Sequence, residues 1–395
     1  MDIKIEHEDI LFCEKIFEYL HKNPEVSGKE YETSKFLKEI FRKWGYSIIE
    51  LPGTGFIVEY ISNLKGKTIA LRAELDALPI QEANRNYYHK KEFISKNKGC
   101  SHACGHDAHM AILATVLYIL YKRQIIFPGN ILFLFEEGEE EGLGIGQMID
   151  KLDNYNIEAV WGIHVTPNIP AGKICIQPGV IMAGDVDILF TIEGEGGHAS
   201  RPDACKNPID VAIEAISVIN RLWMNEFPPE LPITFAITTI QAGEKCNVIP
   251  DKVKMGGSFR FLNEDLSKRI LNRIKECITS IVKLHGCKVE YDPCMEVFGS
   301  MTVNDSKLAM IVEEGFEEMG LAESIVQTNP LYSSESFAHY GEKYPSLYSL
   351  LGVMNNDLGT LAPLHSPNFD LDRSCFNLGI LAAFMFIYKC LYDLN

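Results

Sequence analysis

Three short apolar runs predict buried strands in the first half of the chain. Thr68–Leu75 is mostly apolar and contains no turn residue, and Ile131–Phe135 is a continuous apolar run that follows Asn130. A third run, Ala159–Val165, carries His164 near its end. Continuous apolar runs of this length, separated by segments of helical pattern, are typical of parallel strands that are buried on both faces.

Two segments with apolar residues at helical spacing complete this pattern. One is Ala108–Tyr121, and the other closes the chain at roughly Asp372–Leu391. The most apolar stretch of the chain, Leu378–Phe386, is too short to span a bilayer, so we predict a buried helix there. The order of strands and helices predicts an α/β fold with a mainly parallel sheet.

The middle of the chain has a different pattern and predicts an inserted domain. Its strands and helices are expected in the order βαββαβ, which is the ferredoxin-like split unit. The predicted segments are a strand at Asp185–Gly194, a helix from Asn207 to about Leu222, strands at Leu231–Ile240 and Lys252–Phe261, a helix capped by Asn263 that ends at Gly286, and a strand at Cys287–Tyr291. We therefore expect residues 184–296 to form a lid and dimerisation domain inside an α/β domain made of residues 1–183 and 297–395.

The composition limits the partners of the protein. The 395 residues include 54 acidic and 37 basic side chains, for a net charge of -17. A surface of this sign repels nucleic acid and anionic lipid, so we expect neither a nucleic-acid nor a membrane partner. The N-terminal segment is charged and lacks the apolar core of a signal peptide. Eleven cysteines without a recognisable framework favour a reducing compartment, and we expect a cytoplasmic protein.

Residues that commonly bind metals follow or precede the predicted core elements. They are Cys104, His106, the pair Glu136–Glu137, His164 and His365. Ligands bind beyond the carboxyl ends of parallel strands, where Asp76, Glu136, Glu137 and His164 are expected. A thiolate with imidazoles and carboxylates suits zinc, manganese, cobalt or nickel better than calcium or magnesium.

The predicted insert contributes polar residues in two motifs. His198 lies in the glycine-rich segment Gly194–Pro202, Asn247 lies in a loop, and Arg260 is near a strand end. Such side chains suit a developing oxyanion and a substrate carboxylate. We expect His198 to donate to the oxyanion, with Asn247 as the second choice, and Arg260 to bind a carboxylate.

Several motifs together resemble the metal-dependent amidohydrolase and peptidase family that contains aminoacylases, hippurate hydrolase and carboxypeptidase G. The similarity is greatest to the branch of auxin–amino acid conjugate hydrolases. The motifs are LRAELDALPI, HACGHDAH, EEG, the His164 strand, GGHASRP, NVIPDKV and HSPNF, which occur in the family's order over nearly the whole chain.

The resemblance implies a two-metal centre in a zinc-peptidase-like catalytic domain. Its ligands would be Cys104, His106, Glu137, His164 and His365. Glu136 would be the general base, which takes a proton from the attacking water and delivers it to the leaving amine. Asp76 would orient a ligand. Sister branches have a histidine ligand at the position of Glu74, and His106 would compensate here. His198 would reach the active site of a partner subunit, so we expect a homodimer through the insert.

Two positions depart from the branch's pattern. Phe133–Phe135 precede the glutamate pair where the branch commonly has Gln-Pro-Ala. Ser336 replaces a frequent aspartate after Ser-Glu. Both departures touch the expected substrate pocket.

The leading functional hypothesis is a metal-dependent hydrolase of N-acyl amino acids or related small amides. One alternative is a dipeptidase or carboxypeptidase that uses the same metal centre. A second alternative uses Cys104 as the nucleophile of a cysteine amidase, which would remain active without metal. A third is a non-catalytic metal-binding protein, in which Glu136 would be dispensable.

Overall fold

The structure, a computed structural model, describes residues 4–228 and 230–394. The predicted α/β domain of residues 1–183 and 297–395 therefore begins and ends with residues outside the described part of the chain. The chain forms two compact units. The main unit comprises the residues up to Ile181, Val303–Asn329 and the residues from Glu335 onward. The inserted unit comprises Met182–Thr302 and Pro330–Ser334.

The helices and strands are numbered along the whole chain. The helices are α1 (His7–Lys22), α2 (Tyr31–Lys43), α3 (His106–Arg123), α4 (Ile145–Leu152), α5 (Pro208–Asn225), α6 (Glu264–Leu284), α7 (Ser306–Glu318), α8 (Ala338–Gly341) and α9 (Cys375–Tyr392). The strands are β1 (Ser47–Glu50), β2 (Phe56–Tyr60), β3 (Thr68–Glu74), β4 (Asn130–Glu136), β5 (Ile157–Pro170), β6 (Ile174–Cys175), β7 (Gly179–Met182), β8 (Gly184–Glu193), β9 (Gly197–His198), β10 (Ile233–Ala242), β11 (Val248–Ile249), β12 (Lys252–Phe261), β13 (Lys288–Tyr291), β14 (Thr302–Asn304) and β15 (Ser346–Met354).

Within the described residues, the main unit is built on a seven-stranded sheet of order β1-β2-β4-β3-β5-β15-β6. The four central strands, β4, β3, β5 and β15, run parallel, and the outer strands are antiparallel to their neighbours. The prediction of a mainly parallel central sheet is confirmed. Because β3 and β4 are in register from Thr68–Asn130 to Glu74–Glu136, their carboxyl ends meet at one edge of the sheet.

The buried strands and helices of the main unit are those with continuous apolar sequence. From Ile69 onward every residue of β3 is buried, and so is every residue of β4 from Ile131 onward. Helix α9 is long and apolar enough to cross a membrane, but 83% of it is buried inside the protein. Its side chains pack with those of α1 and α3 in one hydrophobic core, so it is a core helix, as predicted from Leu378–Phe386.

The inserted unit has the predicted order βαββαβ, formed by β8, α5, β10, β12, α6 and β13. Its described strands make a four-stranded antiparallel sheet of order β10-β12-β8-β13. Sequence features set the helix starts, since the side chain of Asn207 caps α5 before Pro208 and the side chain of Asn263 caps α6. A hydrophobic core of its own lies between the sheet and these two helices.

The unit boundaries differ by a few residues from the predicted borders at 183/184 and 296/297. On the return crossing, the N–H of Gly299 donates to the carbonyl of Asp185 at 2.8 Å, and Phe298 packs on the core of the inserted unit. The segment Pro330–Ser334 also belongs to this unit, because the N–H of Ala183 donates to the carbonyl of Leu331. These contacts are long-range, and apolar periodicity contains no signal for them.

Candidate metal centre

The loop before α3 turns tightly so that Cys104 and His106 face the same space. Gly105, between them, has φ +84, which favours glycine. A Cβ atom at this position would lie 2.3 Å from Cγ2 of Val165, so no larger residue fits without displacing β5. Cys104 and His106 are both buried. The sequence Cys-Gly-His therefore directs both side chains toward β5.

Cys104, His106 and His164 form a buried trio whose candidate ligand atoms lie within 4.8 Å of one another. Nε2 of His164 is 3.4 Å from the Cys104 sulfur, and its Nδ1 donates to the carbonyl of Val165. His164 lies in the middle of β5 rather than near its end. Burial lowers the pKa of His164 to about 4. It is therefore a neutral imidazole, the form that binds metals.

A second trio shares the same thiol and consists of Cys104, Glu140 and His365. Oε1 of Glu140 lies 3.3 Å from Nε2 of His365 and 3.9 Å from Nε2 of His106. His365 adopts φ +61, an uncommon conformation for a residue with a side chain, and its N–H donates to the carbonyl of Ala103 at 2.8 Å. This bond ties the His365 loop to the Cys104 loop.

Asp76 contacts two of the segments that carry candidate ligands and so connects them. One carboxylate oxygen pairs with Nδ1 of His106 at 3.1 Å, and the other accepts from the N–H of Glu140 at 3.1 Å and from the hydroxyl of Ser27. Burial opposes the charge on Asp76, but these hydrogen bonds, above all that from His106, lower its pKa. The contacts orient His106 so that its Nε2 faces Glu140 and the two trios.

Glu136 and Glu137 are not where the sequence prediction put them. Glu136 is the last residue of β4, and its carboxylate is bound by Arg72 at 3.0 Å, by the hydroxyl of Tyr340 at 2.7 Å and by that of Ser336 at 2.6 Å. The side chain of Glu137 lies over Gly53. Neither residue belongs to a group of candidate ligands within the described part of the chain. The physical reason is the buried guanidinium of Arg72, which requires Glu136 as a charge partner.

Glu139 and Glu140 occupy the position that was predicted for that pair. They form the start of a short 3-10 helix, Glu139–Glu141, which lies between Gly138 at φ +56 and Gly142 at φ +63. His106, Glu139 and Glu140 form one of the close groups of candidate ligand atoms. Oε1 of Glu139 accepts from the N–H of Ser336 at 3.1 Å. Burial and the neighbouring carboxylate of Glu335 raise the pKa of Glu139 well above its usual range.

Sequence reasoning also missed the hydrogen bonds that hold Glu74. Glu74, His106 and His109 lie close enough to hold an ion. However, His109 pairs with Glu74 through Nδ1 at 2.7 Å and accepts from the N–H of Val165 through Nε2. Glu74 also pairs with Arg72. The side chains of Glu74 and His109 therefore already have partners. The only sign of these contacts in the sequence is Arg72, an arginine inside an apolar strand.

The predicted residues of the inserted unit lie near opposite ends of β12. His198 and Asn247 are neighbours, because β9 and β11 pair and the N–H of Ala199 donates to the carbonyl of Asn247. Arg260 is near the other end of β12, where it donates to the hydroxyl of Ser334 at 2.6 Å and lies 3.6 Å from Asp185. Lys252 and Arg260 are eight positions apart in β12, or about 26 Å of extended strand. The structure therefore does not bring Asn247 and Arg260 together within one chain.

The residues of the two trios suit divalent metal ions. Nε2 of His106 and Oε1 of Glu140 are buried and have no hydrogen-bond partner among the described residues. Unpartnered buried polar atoms are costly, and a cation at this place would satisfy both. The donor set of one thiol, three imidazoles and a carboxylate belongs to Cys104, His106, His164, His365 and Glu140. It suits borderline transition metals rather than calcium.

Comparison with known proteins finds a family model and several relatives that match most of the chain. The model of Peptidase family M20/M25/M40 matches residues 70–386. Thermostable carboxypeptidase 2 of Saccharolobus solfataricus is 34% identical, over 94% of this chain and 93% of its own. IAA-amino acid hydrolase ILR1-like 5 of Arabidopsis thaliana is 31% identical over 91% and 82% of the two chains. N-acetylcysteine deacetylase of Bacillus subtilis is 29% identical over 91% of each.

A solved structure is similar over almost the whole chain. It is the YXEP protein of Bacillus subtilis, described as a dinuclear metal binding peptidase from the M20 family. Its TM-score is 0.81 at 26% sequence identity, and the match covers 97% of this chain and 99% of that one. The likeness therefore includes both units of the chain.

Proposed function

Because the chain belongs to peptidase family M20/M25/M40, we propose that it hydrolyses the amide bond of N-acyl amino acids and related small amino acid conjugates. The family resemblance of the motifs is confirmed, as is the class of metal-dependent hydrolase. Relatives are named for the hydrolysis of an amino acid conjugate and for the deacetylation of an N-acetyl amino acid. Both names describe an acyl group removed from an amino acid nitrogen.

The observation that carries the proposal is the pair of trios that share Cys104. Five candidate ligands from four separate segments converge at one edge of a parallel sheet, and two of their buried atoms have no hydrogen-bond partner among the described residues. We propose that Cys104, His106, Glu140, His164 and His365 hold two divalent ions. Zinc, manganese, cobalt and nickel all suit this donor set.

We assign the role of general base to Glu139 and that of ligand to Glu140, in place of Glu136 and Glu137. Glu139 lies beside Glu140 and His106, whereas the carboxylate of Glu136 is committed to Arg72. The N–H of Ser336 fixes one oxygen of Glu139, whose carboxylate lies among the candidate ligand atoms.

The metal ions, when bound, polarise the scissile carbonyl and lower the pKa of a water molecule. Glu139 accepts a proton from the water molecule as the water oxygen attacks the carbonyl carbon. The same carboxyl group then gives the proton to the departing amine nitrogen as the carbon–nitrogen bond breaks. Asp76 keeps the ring of His106 and the backbone of Glu140 in place throughout.

Carboxypeptidase activity is the second candidate, and one observation favours it. The most identical of the relatives named above is a carboxypeptidase. Both substrate classes carry a carboxylate next to the amide, for which Arg260 is our candidate partner. They differ in the group on the other side of the amide, which is an acyl group in one case and a residue with a free amine in the other.

We further propose that the inserted unit is a ferredoxin-like lid and dimerisation domain. Asn247, the neighbour of His198, lies a few residues before β12, and Arg260 lies near the far end of that strand, so about 26 Å of extended strand separates Lys252 from Arg260. A small substrate does not span this distance. If all three side chains bind one substrate, they come from two copies of the chain, which supports the expectation that His198 serves the partner's site.

A substrate panel tests the proposal. The metal-loaded protein is assayed with N-acyl amino acids and with dipeptides of the same C-terminal residue, and the Glu139→Gln chain serves as the blank. We expect N-acyl amino acids to be hydrolysed with the higher kcat/KM. A preference for the free-amine substrates would favour the carboxypeptidase, and no metal-dependent hydrolysis of either class would refute both.

A further inference from the structure

His21, in the last turn of α1, is buried between two carboxylates from other segments. Its Nδ1 donates to Asp107 at 2.7 Å and its Nε2 donates to Glu82 at 3.0 Å. Burial lowers the pKa of His21, but the bonds to Asp107 and Glu82 outweigh that effect and raise the pKa to about 9. With both ring nitrogens donating, the side chain is an imidazolium cation at neutral pH.

The same cluster reaches both segments that carry candidate metal ligands. Asp107 follows His106 in the first turn of α3. On the other side, Lys91 donates to Glu82 at 2.7 Å and to the carbonyl of Phe369, four residues after His365. The buried charged side chains of this cluster thus connect the start of α3 to the loop of His365 through the end of α1. In order, they are Asp107, His21, Glu82 and Lys91.

No other buried cation takes the place of His21 at Asp107 among the described residues. His102 is the second buried histidine at this end of α3, and neither of its ring nitrogens has a hydrogen-bond partner in the described part of the chain. Burial lowers the pKa of His102 to about 4, so it is neutral. Besides His21, the N–H of Ala108 donates to the Asp107 carboxylate at 2.9 Å, within the first turn of the same helix.

We propose that His21 is a positioning residue for the metal centre. Its cation holds the first turn of α3, and thereby His106 and Cys104, in fixed relation to the His365 loop, although it touches no ligand itself. The inference rests on the proposed metal centre. Without the cation, the carboxylates of Asp107 and Glu82 are left buried and repel each other, which displaces that turn.

A cavity next to His21 makes a chemical rescue feasible. Its volume is about 400 Å³, and its lining includes His21, Phe17 and Phe93 together with the exposed Lys90 and Glu92. A His21→Ala chain would enlarge this space by one imidazole ring and leave it reachable from the surface. Added imidazole restores both N–H donors, whereas 1-methylimidazole has the same ring but at most one N–H.

The experiment measures Co²⁺ affinity by competition with a chromophoric chelator, and the thiolate-to-cobalt absorption band reports the Cys104 bond. For His21→Ala we expect the affinity to fall about tenfold, and imidazole to restore it to within about threefold while 1-methylimidazole does not. Lys22→Ala is the matched control. Lys22 ends the same helix and pairs with Glu18 at the surface, so its loss leaves the affinity unchanged.

The inference is overturned if folded His21→Ala binds Co²⁺ as tightly as the parent does. It is also overturned if imidazole and 1-methylimidazole restore the affinity equally, because the effect would then come from filling the cavity and not from a cation. If His21→Ala does not fold, His21→Gln decides in the same way, since it keeps one donor but no charge. A parent chain that binds no Co²⁺ would instead refute the proposed metal centre.

Discussion

At the scale of single residues, environment separates glutamates of identical chemistry. Glu136 and Glu139 are three positions apart; Glu136 ends β4, and Glu139 begins the short 3-10 helix that follows. Glu136 is neutralised by a buried guanidinium, whereas Glu139 faces the candidate ligands and the carboxylate of Glu335. The first is fixed as a structural counter-charge, and the second is our candidate for exchanging a proton with the attacking water.

Substitution by glutamine separates these two roles. We expect Glu139→Gln to lower kcat by about 10²- to 10⁴-fold, because an amide does not accept the proton of the water. Its metal content and free energy of unfolding should stay close to those of the parent. Glu136→Gln should instead lower the free energy of unfolding by about 2 kcal/mol, because Arg72 loses a charged partner. Steady-state kinetics and denaturant unfolding of both chains distinguish these results, and the reverse pattern would restore Glu136 as the base.

The pH dependence of stability tests the charge on His21. A pKa raised from 6.5 to about 9 stabilises the fold fully below pH 6.5, and this contribution is lost as the pH rises through about 9. The carboxylates of Glu82 and Asp107 face the ring, with Lys91 beyond Glu82 and a neutral His102 beside α3. In excess chelator, the stability difference between the parent and His21→Gln should be about 3 kcal/mol near pH 6 and should shrink above pH 9.

The exposed pair of His285 and Glu214 supplies the control for that measurement. His285→Gln should differ little from the parent at any pH between 6 and 10, because an exposed ion pair contributes at most about 1 kcal/mol. A difference for His21→Gln that does not change with pH would show that the ring is uncharged in the folded protein.

At the scale of elements, a short turn between two glycines positions Glu139 and Glu140. Gly138 and Gly142 both have positive φ and enclose the short 3-10 helix Glu139–Glu141. A Cβ at Gly138 would lie 2.9 Å from Cδ1 of Leu143. The turn brings Glu139 and Glu140 back over the carboxyl end of β3, where Asp76 binds the N–H of Glu140.

A methyl group at Gly138 should therefore disturb the site. We expect Gly138→Ala to lower the free energy of unfolding by about 1–2 kcal/mol, because alanine is strained at positive φ, and to weaken metal binding as the turn shifts. Gly146→Ala, in α4 with nothing within 4 Å of its new Cβ, should be neutral or stabilising by up to about 1 kcal/mol. Isothermal titration with Zn²⁺ and thermal unfolding measure both effects. Equal metal affinity in the two variants would mean that the turn does not position the glutamates.

The positions of the strands and helices could be predicted from the sequence better than the contacts of the side chains at their ends. Apolar runs located β3, β4 and β5, and caps and breaks located α5 and α6. Periodicity does not state where a strand stops, so the glutamate pair was placed three residues early. One signal in the sequence points to the correct pair. Arg72 inside an apolar strand needs a carboxylate on a neighbouring strand, and Glu136 supplies it.

At the scale of the whole molecule, the chain combines two units with separate cores. The candidate ligands all belong to the main unit, and His198, Asn247 and Arg260 all belong to the inserted unit. The sequence predicted this division but not that Asn247 and Arg260 lie near opposite ends of β12. That separation follows from the pairing of β8 with β12 over their full length.

Complementation between inactive chains tests the proposed dimer. His198→Ala and Glu139→Gln chains should each be nearly inactive, and their mixture should regain activity, because one of the two sites in a mixed dimer has an intact base and an intact histidine. Light scattering establishes the oligomeric state, and tagged chains establish subunit exchange. Exchange without recovered activity would mean that His198 acts within its own chain or has no part in catalysis.

The central claim is that amide hydrolysis depends on metal held by Cys104 and its four partner residues. The most direct measurement follows hydrolysis of an N-acyl amino acid while the exhaustively chelated protein is titrated with Zn²⁺ or Mn²⁺, with bound metal determined in the same samples. Activity should be absent at the start, should rise to its maximum at about two ions per chain, and should not return in Cys104→Ala. Full activity of the parent at a metal content near zero would contradict the account.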